Sequence, residues 1–111
     1  MKKLIITLFV LFLYGICNAS TVRFHGTIQP LNPEYAQTVY DFLIANSTNS
    51  DTLDMQDTII TFDISIQNMN QQVILGEYLI NLKQDENIIS MTILSSINRN
   101  GNWETTEWIK K

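Results

Sequence analysis

The sequence predicts an α+β domain in which one helix packs across one face of a four- to five-stranded antiparallel sheet. Two observations predict this class. One stretch with helical spacing of apolar residues begins near residue 33, and alternating apolar and polar residues follow it between residues 60 and 94. Because the helix and these strands are segregated along the chain, the helix's apolar stripe and the sheet's apolar face are expected to bury each other.

The start of the chain has the pattern of a secretory signal peptide. Lys2 and Lys3 form a basic start, a short apolar run follows, and small residues precede position 20. The pattern predicts cleavage after Ala19, which makes residues 1–19 a signal peptide and residues 20–111 a single secreted, extracellular domain. An uncleaved anchor is the alternative, but the apolar run is shorter than the roughly 20 residues that a membrane span needs.

The predicted mature domain is acidic and has no cysteine. The chain's one cysteine, Cys17, lies in the predicted signal peptide, so the domain has no disulfide and is stabilised by packing alone. Loss of Lys2 and Lys3 leaves five basic residues against eleven acidic ones, a net charge of −6. An acidic domain without a basic cluster argues against nucleic acid and against anionic membranes as partners.

The first strand and the helix have distinct local signals. Residues 21–25 alternate and are predicted to be extended, with Gly26 as a bend or a place of close approach. Residues 32–34, Asn-Pro-Glu, supply a helix cap, a proline for the first helical position and an acid for the first turn. Apolar residues at helical spacing then continue the predicted helix to near Asn46.

Alternation of apolar and polar residues predicts three half-buried strands, at 60–67, 78–83 and 89–94. Turn-forming residues precede and follow the third of these strands. A short last strand is predicted from 103 to 109. The predicted order is therefore a strand, a helix and four further strands.

Residues suited to catalysis are few, and the sequence predicts that the chain is not an enzyme. The mature domain has no thiol nucleophile, and its one histidine, His25, is predicted to be a polar residue on an exposed strand. Asp51, Asp54 and Asp57 recur every three residues but lack the glycine and the terminal glutamate of a calcium-binding loop. We therefore expect a solvated acidic loop, no metal site and no cofactor.

The stretch Gln72-Val73-Ile74-Leu75-Gly76 lies between two predicted strands and is therefore predicted to be the tip of a hairpin. Hairpin tips usually carry Gly, Asn, Asp and Pro, whereas this one carries three large apolar residues, which indicates an interaction surface. Trp103 lies at a second hairpin tip, predicted to emerge at the same end of the sheet, and is a candidate aromatic anchor. The extended segment around Gly26 is expected to reach that end as well.

This combination resembles the cystatin family, protein inhibitors of papain-like cysteine proteases. The family's first hairpin carries Gln-x-Val-x-Gly, which residues 72–76 match with Ile74 in place of valine. The family's glycine before the helix and tryptophan in the second hairpin correspond to Gly26 and Trp103. The resemblance covers residues 20–111, although asparagine precedes the tryptophan where the family has proline.

The resemblance implies a reversible, tight-binding inhibitor of papain-like, cathepsin-type cysteine proteases. An N-terminal segment and two hairpin loops would block the protease's active-site cleft, with Gly26, Gln72, Val73, Ile74, Leu75, Gly76 and Trp103 as the protease-binding residues. The inhibitor is expected to be a monomer, with a domain-swapped dimer as the alternative. Two other interpretations remain: a cystatin-fold or pilin-like β-rich binding or structural protein without inhibitory activity, and a buried strand segment at 72–76.

Overall fold

Five strands form one antiparallel sheet and two helices cover one of its faces, within the residues that the computed structural model describes, 21–99 and 101–110. The predicted α+β class, with a helix packed across an antiparallel sheet, is confirmed. The predicted signal peptide, residues 1–19, lies outside the described residues. In chain order the elements are β1 (Val22–Pro30), α1 (Pro33–Ala45), β2 (Thr52–Gln56), β3 (Ile59–Ile66), α2 (Met69–Lys83), β4 (Ile88–Arg99) and β5 (Asn102–Lys110).

Helix α1 begins where its cap predicts. The Asn32 side-chain oxygen accepts a hydrogen bond from the backbone N–H of Tyr35 at 2.8 Å, and Pro33 is the first helical residue. The helix ends before Asn46, whose side-chain amide donates to the backbone oxygen of Phe42 at 2.9 Å. Its buried residues recur at helical spacing and face the sheet: Ala36, Val39 and Leu43.

Strands β1 and β3 bury alternate residues, and so does the first part of β4, where the sequence predicts a half-buried strand. Strand β5 forms where the sequence predicts a last strand but is exposed along almost its whole length. Strand β1 runs through Gly26 without a bend and continues to Pro30, pairing with β3 on one side and β4 on the other.

The prediction for the segment between α1 and β3 is wrong. Residues 52–56, predicted to be a solvated acidic loop, form edge strand β2, because Leu53 and Met55 pack against the core while Asp54 points away.

The hairpin and the strand predicted between residues 71 and 83 are also wrong, because these residues form helix α2. The Asn68 side chain caps it by accepting a hydrogen bond from the backbone N–H of Gln71 at 3.1 Å. Beyond the cap, most buried positions are three or four residues apart. In a helix this spacing places them on one face, and that face buries more of the segment's apolar side chains than one face of a strand would. Those buried residues are Gln72, Leu75, Gly76, Leu79, Ile80 and Leu82.

The order of strands across the sheet is β2-β3-β1-β4-β5. Helix α1 connects β1 to β2 across β3, and helix α2 connects β3 to β4 across β1. These are two interleaved split β-α-β units, the arrangement of ferredoxin-like sheets, extended by β5 at one edge. Helix α1 lies against β1, β2 and β3, whereas helix α2 lies against β3, β4 and β5.

Asp85, in the turn between α2 and β4, ties four elements together at one end of the sheet. Its carboxylate accepts hydrogen bonds from the Tyr35 hydroxyl of α1 and from the backbone N–H of Asn87, and its backbone oxygen accepts from the Lys110 ammonium of β5. The hydrogen bond from Tyr35 holds the pKa of Asp85 below its usual value. Burial, reinforced by this bond, raises the pKa of Tyr35 to about 12.

Replacing Tyr35 by phenylalanine is expected to destabilise the domain by about 1–2 kcal/mol at pH 7, the contribution of a hydrogen bond to a charged group. Because the pKa of Asp85 is lowered in the folded state, this contribution is present above the unfolded value, near 3.9, and is lost as the pH falls through the folded value. Because the pKa of Tyr35 is raised in the folded state, the stability contributed by this hydrogen bond is fully present up to about pH 10. It is lost as the pH rises towards 12 and the hydroxyl ionises.

Urea unfolding of the wild type and of Tyr35→Phe, at a series of pH values, measures this difference. Tyr40→Phe is the control, since Tyr40 is half-buried on the same helix. A Tyr35→Phe difference that stayed constant between pH 2 and pH 7 would contradict the assignment, because protonation of Asp85 must weaken the bond.

Candidate functional site

The residues predicted to bind a protease lie in three different environments. Gly26 is in the middle of the central strand, Gln72 to Gly76 are in helix α2, and Trp103 is near the start of β5. The structure therefore does not assemble them as three adjacent loops. Their role in protease binding stays a prediction.

The five residues from Gln72 to Gly76 mostly face the core rather than solvent. The Gln72 side chain is 4% exposed and donates a hydrogen bond through Nε2 to the backbone oxygen of Ile66 at 2.8 Å. Leu75 is fully buried and Gly76 is buried as well. Ile74 alone is well exposed, because it lies on the opposite side of the helix. A protease cleft can therefore contact this turn only through Ile74 and the half-buried Val73.

Gly26 is a place of close approach within the sheet. It pairs with Phe62 of β3 and Ile93 of β4, and a Cβ at this position would lie 2.0 Å from the backbone oxygen of Thr92. The strands approach each other here only because position 26 has no side chain. Gly26 thus allows close packing at the centre of the sheet, rather than lying at an end as the sequence predicts.

Trp103 is exposed beside the β4–β5 turn, as the sequence predicts. Its side chain is 51% exposed, and Trp103 pairs with Asn98, whose backbone N–H donates to Thr21. The first residues of β1 and the last of β3 lie at this same end, where helix α2 begins. The exposed indole therefore lies at a sheet end, beside the β4–β5 turn, and its role in binding stays a prediction.

Among residues 21–99 and 101–110, no helix or further strand packs on the face of the sheet away from α1 and α2, which we call the open face. On β1 it presents Arg23, His25 and Thr27, and on the neighbouring strands it presents the residues that pair with them.

An ion pair lies on the open face. The Arg23 guanidinium donates two hydrogen bonds to the Asp63 carboxylate, at 2.8 and 2.6 Å. This bond lowers the pKa of Asp63 and raises that of Arg23. With both side chains about 40% exposed, the pair contributes less than about 1 kcal/mol.

Strand β5 forms one edge of the sheet and is exposed along almost its whole length. Only Trp108 and Lys110 are half-buried among its nine residues. On the open face β5 presents Trp103, Thr105, Glu107 and Ile109, which pair with Asn98, Ser96, Leu94 and Thr92 of β4. Together with the backbone groups of β5 that point away from β4, these four side chains form what we call the β5 edge.

The two edges of the sheet differ in how well they are protected. Strand β2 has five residues and ends at a tight turn where Asp57 has a φ of +57°, so it offers little length for pairing. Strand β5 has nine residues, no proline, and a high content of tryptophan, threonine and isoleucine, which favour strands. The sequence predicts this strand but not its position at an edge, which depends on the order of all five strands.

Two shallow clefts among the described residues are lined mostly by polar side chains. One, of about 370 Å³, is lined mainly by hydroxyl and amide side chains, including Asn46, Thr48 and Gln71. Another, of about 450 Å³, lies around Asn81 and Glu86. Among residues 21–99 and 101–110, no three His, Cys, Asp or Glu side chains group so as to hold a metal ion. Within the same ranges no helix is long and apolar enough to cross a membrane.

No protein-family model matches the chain, and no curated protein or solved structure is found to be similar to it.

Proposed function

We propose that the domain is a non-catalytic protein-binding module that takes an extended segment of its partner along the β5 edge. The observation that carries this proposal is the nine-residue edge strand, which contains no proline and is exposed over almost its whole length in the part of the chain that the structure describes. A long edge of this kind is a template for a further strand. The predicted absence of enzymatic activity agrees with the proposal.

The β5 edge offers both parts of an edge-binding site. Because the hydrogen bonds of an antiparallel pair alternate, every second residue of β5 points its N–H and C=O away from β4, where a partner strand would use them. Two apolar side chains stand near the ends of this edge, Trp103 at 51% and Ile109 at 39% exposure. Backbone pairing would supply affinity, and the two side chains would select the segment.

The charge of the domain restricts the partner. The whole chain has a net charge of −4, and the β5 edge carries Glu107 between its two apolar residues. A basic or hydroxyl side chain opposite Glu107, with apolar ones opposite Trp103 and Ile109, would match the edge best. We further propose that binding takes place outside the cytoplasm, which the signal pattern of residues 1–19 supports.

A display library of random nine-residue peptides tests the proposal. We expect peptides with apolar residues near both ends to be enriched, and their affinity to fall roughly thirtyfold in Trp103→Ser, as for an aromatic anchor. Ile109→Ser is expected to weaken binding about fivefold through lost apolar contact. Ile44→Ser is the matched control, because Ile44 is 47% exposed on helix α1, away from β5. Equal effects of Ile109→Ser and Ile44→Ser would contradict the assigned surface.

Inhibition of papain-like cysteine proteases is the second candidate, favoured by the exposed Trp103 at the end of the sheet where helix α2 begins. Titration of papain with the same variants separates the two. An inhibitor would lose potency in Trp103→Ser while Ile109→Ser left it unchanged, since Ile109 lies at the other end of β5. If the folded domain does not inhibit papain, the inhibitor candidate is rejected and the binding module remains the proposed function.

A further inference from the structure

We infer that the β5 edge pairs with the same edge of a second copy of this chain, forming a two-fold symmetric dimer with one continuous ten-stranded sheet. This inference rests on the proposed function, since it names the partner of the β5 edge. It is carried by the order of residues along β5, which is complementary to itself when the strand is reversed.

The centre of the strand defines the pairing. Two-fold symmetric antiparallel strands pair residues at equal distances on either side of the axis. Thr106 is the midpoint of Asn102–Lys110, so an axis at Thr106 pairs all nine residues of each strand. It also keeps the open faces of both copies on the same side, because paired residues then belong to the same face.

The side chains on the open face match in this register. Trp103 of one copy lies opposite Ile109 of the second copy, and Thr105 lies opposite Glu107 of the second copy. The two exposed apolar residues of each strand therefore cover those of the other, a type of cross-strand pair worth about 0.2–1 kcal/mol each. The interface has two such pairs, one at each end.

Charges and apolar pairs together favour this register over its neighbours. On the helix-covered side, Glu104 of one copy lies opposite Trp108 of the second copy and diagonal to Lys110 of the second copy, an attractive charge arrangement that occurs twice. An axis at Glu107 would place Glu104 directly opposite Lys110, but it would also place Glu107 opposite itself and separate Trp103 from Ile109. An axis at Thr105 would place Trp103 opposite Glu107 and leave Ile109 uncovered. Both alternatives also leave residues at one end of each strand unpaired.

An edge-to-edge contact of nine residues is small, so the dimer is expected to be weak. Pairs that bury less than about 1,200 Å² typically associate transiently, and we expect a dissociation constant on the order of 10 μM. Sedimentation equilibrium of the protein should therefore show a mass that rises from one chain towards two as the concentration increases. The net negative charge of each copy makes the association stronger at higher salt.

A single cysteine near the axis tests the register. In a Cys17→Ser background, Thr106→Cys places two thiols opposite each other across the axis, with Cα atoms about 4.5–5.5 Å apart, which a disulfide spans. Thr105→Cys is the matched control, because its copies are diagonal at about 7–8 Å, which is too far. With oxidised glutathione we expect Thr106→Cys to form a disulfide dimer at least tenfold faster than Thr105→Cys.

Equal rates of cross-linking, or a wild-type protein that stays monomeric at about 200 μM, would overturn the inference. Circular dichroism shows whether each cysteine variant is folded, and sedimentation of the wild type decides the question should Thr106→Cys not fold.

The outcomes also distinguish failure of the dimer from failure of the β5 edge as a binding site. A monomer that binds library peptides in a Trp103-dependent way refutes only the dimer, whereas a monomer that binds none refutes the edge as a binding site.

Discussion

Replacing Gly26 by alanine is expected to destabilise the domain by about 3 kcal/mol or more, enough to unfold much of it. The added Cβ would lie 2.0 Å from the backbone oxygen of Thr92 and 2.8 Å from the Cα atom of Ile93. Both atoms belong to the backbone of β4, which cannot move away without breaking its pairing with β1. In addition, the φ of Gly26 is +154°, which residues with a side chain rarely adopt. Urea unfolding followed by circular dichroism measures the loss.

Gly101→Ala is the control for this prediction. Gly101 also has a positive φ, +84°, but a Cβ there would meet no atom within 4 Å. Its replacement should cost only the backbone strain, about 1–2 kcal/mol. Similar losses for the two variants would show that crowding by β4 contributes nothing at Gly26.

Replacing Leu75 by alanine is expected to cost about 2–5 kcal/mol, because it removes a buried side chain and leaves a cavity. Leu75 is 0% exposed in the core between helix α2 and the sheet, whereas its neighbour Ile74 is 49% exposed on the outer side of the helix. Ile74→Ala should therefore change the stability by less than about 0.5 kcal/mol. Chemical denaturation of both variants gives the comparison.

This pair of variants also decides between a helix and a hairpin tip at residues 72–76. At an exposed tip, truncation of either residue would have little effect on stability and a large effect on binding. A Leu75→Ala variant as stable as the wild type would therefore contradict helix α2 and restore the hairpin on which the inhibitor prediction depends.

Helix α1 and the strands other than β2 could be predicted because their signals are local. Asn32 and Pro33 form a cap that identifies one helix start, and alternation identifies β3, where a single face is buried. Strand β2 was missed because its two inward residues, Leu53 and Met55, are too few to show a period among the acidic residues around them. Its formation depends on pairing with β3, which the local sequence does not show.

Helix α2 shows how two periods can coexist in one stretch. Tyr78, Ile80 and Leu82 alternate as in a strand, yet the buried positions of the whole segment follow a helix. The resemblance to an inhibitor hairpin favoured the first reading. The available counter-signal was the cap, in which Asn68 precedes Gln71 by three residues, the spacing of a capping box.

The candidate site was predictable only in part. The exposure of Trp103 and the close approach at Gly26 follow from residue type and position, and the structure has both. That β5 is an edge depends on the order of all five strands, which arises from the crossovers of both helices. No local pattern in the sequence carries that information.

The position of β1 at the centre of the sheet has a consequence for how the chain acquires its structure during synthesis. Its two neighbours, β3 and β4, are both made later, and Val22 pairs with Ile97 close to the end of the chain. Strand β1 therefore has no neighbour on its β4 side until residues far downstream have been made, and the sheet closes late. Such distant pairings slow folding. A chain whose central strand stays unpaired for this long exposes apolar residues while it is being made.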